Sequence, residues 1–269
     1  MKATCFWLGC IFIGLLLPQS ASAYTRSRDS DTGVCLYWER STFTYFIHQA
    51  CSADIPDVNS CIAAVRAGID VWNSPACSKL NAVYGGTTAS REVGFDPDNW
   101  NDNFNLIIFQ ETSWQSSGQA IALTTTTYDI EKGEIVDTDV EFNGVDFGFT
   151  VNGTPSSHHD IQNTMAHEAG HMCGLDHSTD KDATMYKDAA SGETDKRDLT
   201  QDDLDGLCFV YPVGGDIPNF IDDSMLEICA ERPDEGCGCA ALAVQPKSLP
   251  ISVLALAIFA LFWRRNKNM

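Results

Sequence analysis

The sequence predicts an α+β fold, an α/β sandwich in which a sheet carries its last helices on one side. Three observations predict it. Stretches rich in β-branched and aromatic residues recur between residues 42 and 142, residues 59–72 carry apolar side chains at helical spacing, and two cap signatures open later helices. The resulting order is strand, helix, several strands, helix, helix.

Residues 42–49, TFTYFIHQ, alternate as a strand should, with His48 inside as a packing residue. Asn59 to Trp72 places Ile62, Val65, Ile69 and Trp72 on one face of a helix. Leu80 to Tyr84 and Asn105 to Phe109 are short strands. Between them DPDNWNDNFN is a turn-rich loop, and its carboxylates fit no calcium-loop spacing. Ile121 to Tyr128 and Ile135 to Phe142 form a hairpin around Glu131-Lys132-Gly133-Glu134. Asp160 can cap a helix, with His158 and His159 on the surface before it. Thr200 is an N-cap with Asp203 as its capping-box partner, and that last helix should stop before Pro212.

The ends have separate signatures. Lys2, the apolar run Phe6 to Leu17 and Ala21-Ser22-Ala23 make residues 1–23 a signal peptide, so the exported chain should begin at Tyr24. Residues 24–213 are long enough for one well-cored domain, and 214–236 form an acidic linker. Residues 237–269 hold Cys237 and Cys239, the apolar stretch Leu249 to Trp263, then Arg264, Arg265 and Lys267. A stretch of fifteen residues is short of the roughly 20 that span a bilayer, yet the following positive charges suit an anchor or sorting tail. The tail resembles the C-terminal sorting tails of myxobacterial-type secreted proteins, with a Gly-Cys motif, a short hydrophobic helix and a terminal arginine cluster. That resemblance implies a place on the cell surface or outside the cell.

Between the ends, residues 24–239 carry 12 basic against 37 acidic residues, a net charge of −25. Nucleic acid is excluded as a partner, because phosphate binding needs a basic face. Six cysteines (35, 51, 61, 77, 173 and 208) lie in the folded part, as expected of an oxidising compartment. A Cys61–Cys77 bridge is excluded, since the helix between them spans roughly 21 Å against a limit of about 7 Å. Cys51–Cys61 is the better pairing. Cys173 points away from the helix face that carries His171, and Cys208 is its expected partner.

The chemistry lies in HEAGHMCGLDH, residues 167–177. His167 and His171 are four apart, about 40° around a helix, so both imidazoles can reach one ion. Glu168 can flank that ion without ligating it, which suits a general base acting on water. Gly174 can end the helix in left-handed geometry and turn His177 towards the same point. Three neutral histidines leave a fourth position open, as in a catalytic rather than a structural zinc site.

HEAGHMCGLDH, with Met185 eight residues beyond His177, resembles the metzincin zinc peptidases. Gly174-Leu175-Asp176-His177-Ser178, Thr184-Met185-Tyr186 and LTQDDLDGLCFVYP are similar to the matrixin subfamily over residues 158–212. The resemblance implies a twisted mixed sheet with an active-site helix, a Met-turn and a C-terminal helix, and makes residues 24–213 a catalytic domain. It implies zinc held by His167, His171 and His177, Glu168 as general base, and a peptide or protein substrate laid along Ile121 to Tyr128. Tyr186 follows the methionine directly and is not expected to be a ligand. Cys35 is read as a disulfide partner rather than a zinc cap. The implied protein is an exported or surface-anchored zinc endopeptidase, reaching the membrane through its tail. The alternatives are a surface-anchored zinc-binding protein with little activity, or a zinc hydrolase of a cell-wall amide.

Overall fold

The computed structural model describes residues 23–99, 103–115, 120–217, 240–242 and 251–255. The elements are β1 (Thr25–Arg26), β2 (Thr42–His48), α1 (Val58–Asn73), β3 (Asn81–Thr88), β4 (Asn105–Gln110), β5 (Ala122–Asp129), β6 (Ile135–Asn143), β7 (Phe149–Thr150), β8 (His159–Asp160), α2 (Ile161–Met172), β9 (Leu175–Asp176), α3 (Gln201–Val210), β10 (Ala240–Leu242) and β11 (Ile251–Ala255). The main sheet runs β10-β5-β6-β4-β2-β3, with β11 also paired to β5. β3, β2, β4 and β6 are mutually parallel, whereas β5 is antiparallel to β6. This is a mixed sheet with few helices, as expected.

The sheet packs on α1 and α2 because each presents an apolar face. Val65, Ile69 and Trp72 of α1 are buried, and the Trp72 indole donates to the Ala166 carbonyl of α2 at 2.7 Å. Burying those three side chains contributes about 1.5–3 kcal/mol each. Phe109, Phe142 and Phe149 form one aromatic cluster, with Phe109 stacked on Phe142 at 4.4 Å and both edge-on to Phe149. Trp38 and Tyr211 serve the end of α2, where the last carbonyls lack helical partners. The Trp38 indole donates to Met172 O at 2.8 Å and the Tyr211 hydroxyl to Cys173 O at 2.9 Å.

On the other face of the sheet, β6 buries two carboxyls. The Asp139 carboxyl accepts from the backbone N–H of Gly94 at 2.6 Å and of Leu106 at 2.8 Å, tying the loop after β3 to the start of β4. Burial pushes Asp137 up to about 7 and raises Asp139 well above the usual carboxyl range, where the charge of Asp137 adds to the effect. Folding therefore favours the protonated pair. The stabilisation is complete at acid pH and is lost as pH rises through about 7. Asp137→Asn should keep an uncharged partner beside Asp139 and stabilise the fold at pH 8 by about 1 kcal/mol. At pH 5 the gain should be smaller, and below the ordinary carboxyl range of about 4 it should vanish; equal melting shifts at pH 5 and pH 8 would contradict this account.

Three sequence expectations need correction. Cys208 pairs with Cys77 rather than Cys173, at a Cα separation of 5.4 Å. The chain after α3 runs back beside Cys77, with Val213 N donating to Cys77 O at 3.1 Å and Lys79 N to Tyr211 O at 2.8 Å. Cys173 is a buried free thiol, pushed upward by desolvation. His159 is not a surface residue: it is buried in β8 with its ring edge-on to Phe147 at 5.3 Å. Ile251–Ala255, inside the stretch expected to form a short hydrophobic helix, is a strand. Among the described residues no helix is long and apolar enough to cross a membrane. Cys51–Cys61 forms as expected, and Cys35 is disulfide-bonded. Residues 1–22, 218–239, 243–250 and 256–269 of the signal peptide, linker and tail lie outside the described residues.

Candidate metal centre

The site is built on α2. Asp160 caps the helix, accepting from Asn163 N at 2.9 Å, and Arg197 holds the same carboxylate through Nε at 2.9 Å and Nη2. About two helical turns on, His167 and His171 share a face, with ring centroids 4.9 Å apart. The helix stops where left-handed backbone becomes necessary. Gly174 has φ +82°, and a Cβ there would lie 2.6 Å from Leu36 O, so only glycine fits. The chain then turns back through β9 and delivers His177, whose ring centroid is 5.2 Å from that of His167 and 4.9 Å from that of His171.

The three histidines offer ligand nitrogens that all lie within 4.8 Å of one another. The Nδ1 of His167 faces Thr184 O at 2.7 Å, and that of His171 faces Leu175 O at 2.9 Å. A carbonyl only accepts, so both Nδ1 atoms carry the proton and both Nε2 atoms keep a lone pair. Those two Nε2 atoms are buried with no hydrogen-bond partner among the described residues. Burial, with the charges of His171 and Lys196, holds His167 well below its usual range and so keeps it neutral. Such nitrogens suit a zinc ion and leave a coordination position open, so the residues fit the group.

Glu168 is fully buried beside them. The Thr124 hydroxyl of β5 donates to its Oε2 at 2.7 Å, which ties the helix to the sheet strand alongside the site. Met185 is buried against Gly170 of α2. A Cβ on Gly170 would collide with the Met185 Sδ and come within 2.8 Å of the Trp72 ring, so α2, α1 and the methionine meet there in close contact. The turn is closed by Tyr186 N donating to Ala183 O at 3.0 Å and Ser178 N to Met185 O at 2.9 Å. The Tyr186 carbonyl accepts from Lys196 Nζ at 2.8 Å, while Lys196 N donates to Asn163 Oδ1 at 2.8 Å. These bonds fasten the segment after Met185 to α2.

All four residues singled out in the sequence, His167, Glu168, His171 and His177, thus meet in one place. Residues 37–212 match the family model for matrixin peptidases. The chain belongs to the matrixin family. Over 176 residues it is 26% identical to Metalloendoproteinase 1-MMP of Arabidopsis thaliana, covering 65% of this chain and 44% of that one. It is 37% identical over 78 residues to neutrophil collagenase of Homo sapiens, covering 26% of this chain and 17% of that one. With Metalloendoproteinase 1 of Glycine max the identity is 41% over 54 residues, 20% of this chain and 17% of that one. The chain spans less than half the length of these curated relatives. Membership in the matrixins implies a catalytic zinc.

Sequence reasoning missed Thr124, Asp203, Lys196 and Arg197. Thr124 stands in the run Thr124–Thr127, and only the strand register picks out which threonine meets Glu168. Asp203 was legible as a helix cap, but its grip on the turn at Met185 depends on where α3 packs.

Proposed function

We propose that this chain is an exported zinc endopeptidase, with His167, His171 and His177 holding one Zn²⁺ and Glu168 acting as general base. The observation that carries the reading is the convergence of the three imidazoles, two of them with Nδ1 already committed to carbonyls, next to a buried glutamate. Zinc, when bound there, supplies Lewis acidity and lowers the pKa of water. The chain's residues do the rest. The Thr124 hydroxyl fixes one Glu168 oxygen, so the carboxylate can receive a proton from attacking water and hand it to the departing amine. Thr184 O and Leu175 O hold the two rings by their Nδ1 protons, which raises the donor strength of Nε2. β5 offers main-chain groups along which an extended peptide could lie antiparallel, placing its scissile bond near Glu168. The substrate is a peptide or protein.

Export also has local support. Ala23 N and Tyr24 N donate to Asp202 Oδ1 at 2.7 and 2.8 Å, and Asp202 Oδ2 accepts from Ser178 at 2.6 Å. Cleavage after Ala23 would place the new α-amino group of Tyr24 against this buried carboxylate, beside the turn that follows His177.

The test is cleavage of an unfolded protein by the chain recovered from the secreted fraction, whose first residue should be Tyr24. Removing metal with a chelator should abolish cleavage, and one equivalent of zinc should restore it. Retained cleavage after complete metal removal would sink the reading. Zinc binding with no cleavage of any unfolded protein would move the assignment to a zinc-binding protein or an amide hydrolase.

A further inference from the structure

β5 is the strand beside the candidate site, since its Thr124 touches Glu168. One edge of β5 pairs with β6. The other edge is where an extended substrate would have to add, because unpaired strand edges are templates for a further strand. In the structure the chain's own C-terminal segment takes that edge. β10 runs parallel to it, with Ala240 opposite Leu123, Ala241 opposite Thr124 and Leu242 opposite Thr125. β11 runs antiparallel, from Ile251 opposite Asp129 to Ala255 opposite Thr125. Together they pair β5 from Leu123 to Asp129.

We propose that Ala240–Leu242 and Ile251–Ala255 dock on the outer edge of β5 as a built-in competitor of substrate, and that their withdrawal opens the cleft. The proposal rests on the peptidase reading of the site. One strand edge accepts one strand, so tail and peptide exclude each other. Near Thr124 the tail runs parallel to β5, opposite in sense to the antiparallel peptide, so it presents its carbonyls in reversed order and is not held as a substrate would be.

Sequence and tether favour the docking. ISVLA is β-branched and apolar, and Pro250, which cannot donate to a ladder, stands immediately before it. Residues 218–239 join the folded domain to β10, and 22 residues can extend over roughly 70 Å. That reach is ample for a strand return. A tethered strand acts at an effective concentration of about millimolar, well above that of a dilute substrate. Either removal of the tail or its capture by a membrane would vacate the edge, so access to the cleft follows the fate of the C-terminus.

The test compares the full chain with the full chain carrying Val253→Pro and Leu254→Pro. Successive N–H groups of a strand point to opposite sides, so one of two adjacent prolines removes a ladder donor whatever the parity. Cleavage of an unfolded protein should rise by about tenfold in kcat/KM, mainly through a lower KM. A synthetic peptide of residues 249–257 should inhibit the variant competitively, and the same peptide with both prolines should not. Amide exchange across Leu123–Asp129 gives a readout independent of activity: it should quicken in the variant. Unchanged exchange, or equal kcat/KM with no inhibition by the peptide, overturns the docking. Quickened exchange in two inactive proteins supports the docking and counts against the peptidase reading alone.

Discussion

Glu168→Gln is expected to keep its zinc and its fold while kcat/KM falls by about 10²–10⁴-fold, the range attributed to a positioned acid–base group. That corresponds to about 3–5 kcal/mol of transition-state stabilisation. The substitution is nearly isosteric, and the side-chain oxygen of glutamine can still accept from the Thr124 hydroxyl at 2.7 Å. The three imidazole positions depend on Thr184 O, Leu175 O and the turn at Gly174, none of which involves the Glu168 side chain. Metal content should therefore match that of the unaltered protein. What the amide cannot do is accept a proton from water. Zinc analysis and cleavage of one unfolded substrate, run on the same samples, separate the two roles. Loss of zinc in the variant would make Glu168 part of the metal's binding set, and undiminished cleavage would remove it from the chemistry.

The site was legible because its determinants are local. Asp160, His167, Glu168, His171, Gly174 and His177 lie within 18 residues, and helical geometry plus one left-handed glycine places them without reference to the rest of the chain. Strand positions were legible for the same reason, since alternation over 42–49 and the β-branched and apolar residues of 135–142 are properties of each segment alone. Pairing was not. Which cysteine meets Cys208 depends on the return of the chain past Cys77, and no local pattern records that return. The burial of His159 depends on its short parallel ladder with Phe149, two strands of two residues each. The stretch 251–255 is apolar enough for a span and β-branched enough for a strand, and its length decides neither. An open strand edge supplied the partner that sequence could not reveal.

Asp203 shows how a cap on one helix can govern a metal site on another. Its buried carboxylate accepts from Thr200 N and Oγ1, both at 2.8 Å, which closes the capping box of α3. It also accepts from Thr184 N at 2.8 Å and Met185 N at 3.0 Å. Thr184 then orients His167 through its carbonyl at 2.7 Å. Asp203→Ala would leave two buried amides of the turn without an acceptor, at about 1–3 kcal/mol each. It would also lose a cap worth about 0.5–2 kcal/mol. The expected destabilisation is about 3–5 kcal/mol in denaturant unfolding. Asp203→Asn keeps the shape but turns an amide N–H towards groups that are themselves donors. Its zinc affinity should fall by about 10–100-fold, as when an outer partner of a ligand is lost. Asp205→Ala on the same helix is the contrast, because Asp205 is exposed and its side chain, among the described residues, bonds only Gln201; it should stay within about 0.5 kcal/mol. Competitive titration against a chromophoric chelator reads the affinity. If Asp203→Asn binds zinc as tightly as the parent, the turn holds His167 without the carboxylate. If Asp203→Ala unfolds like Asp205→Ala, α3 does not carry the turn at all.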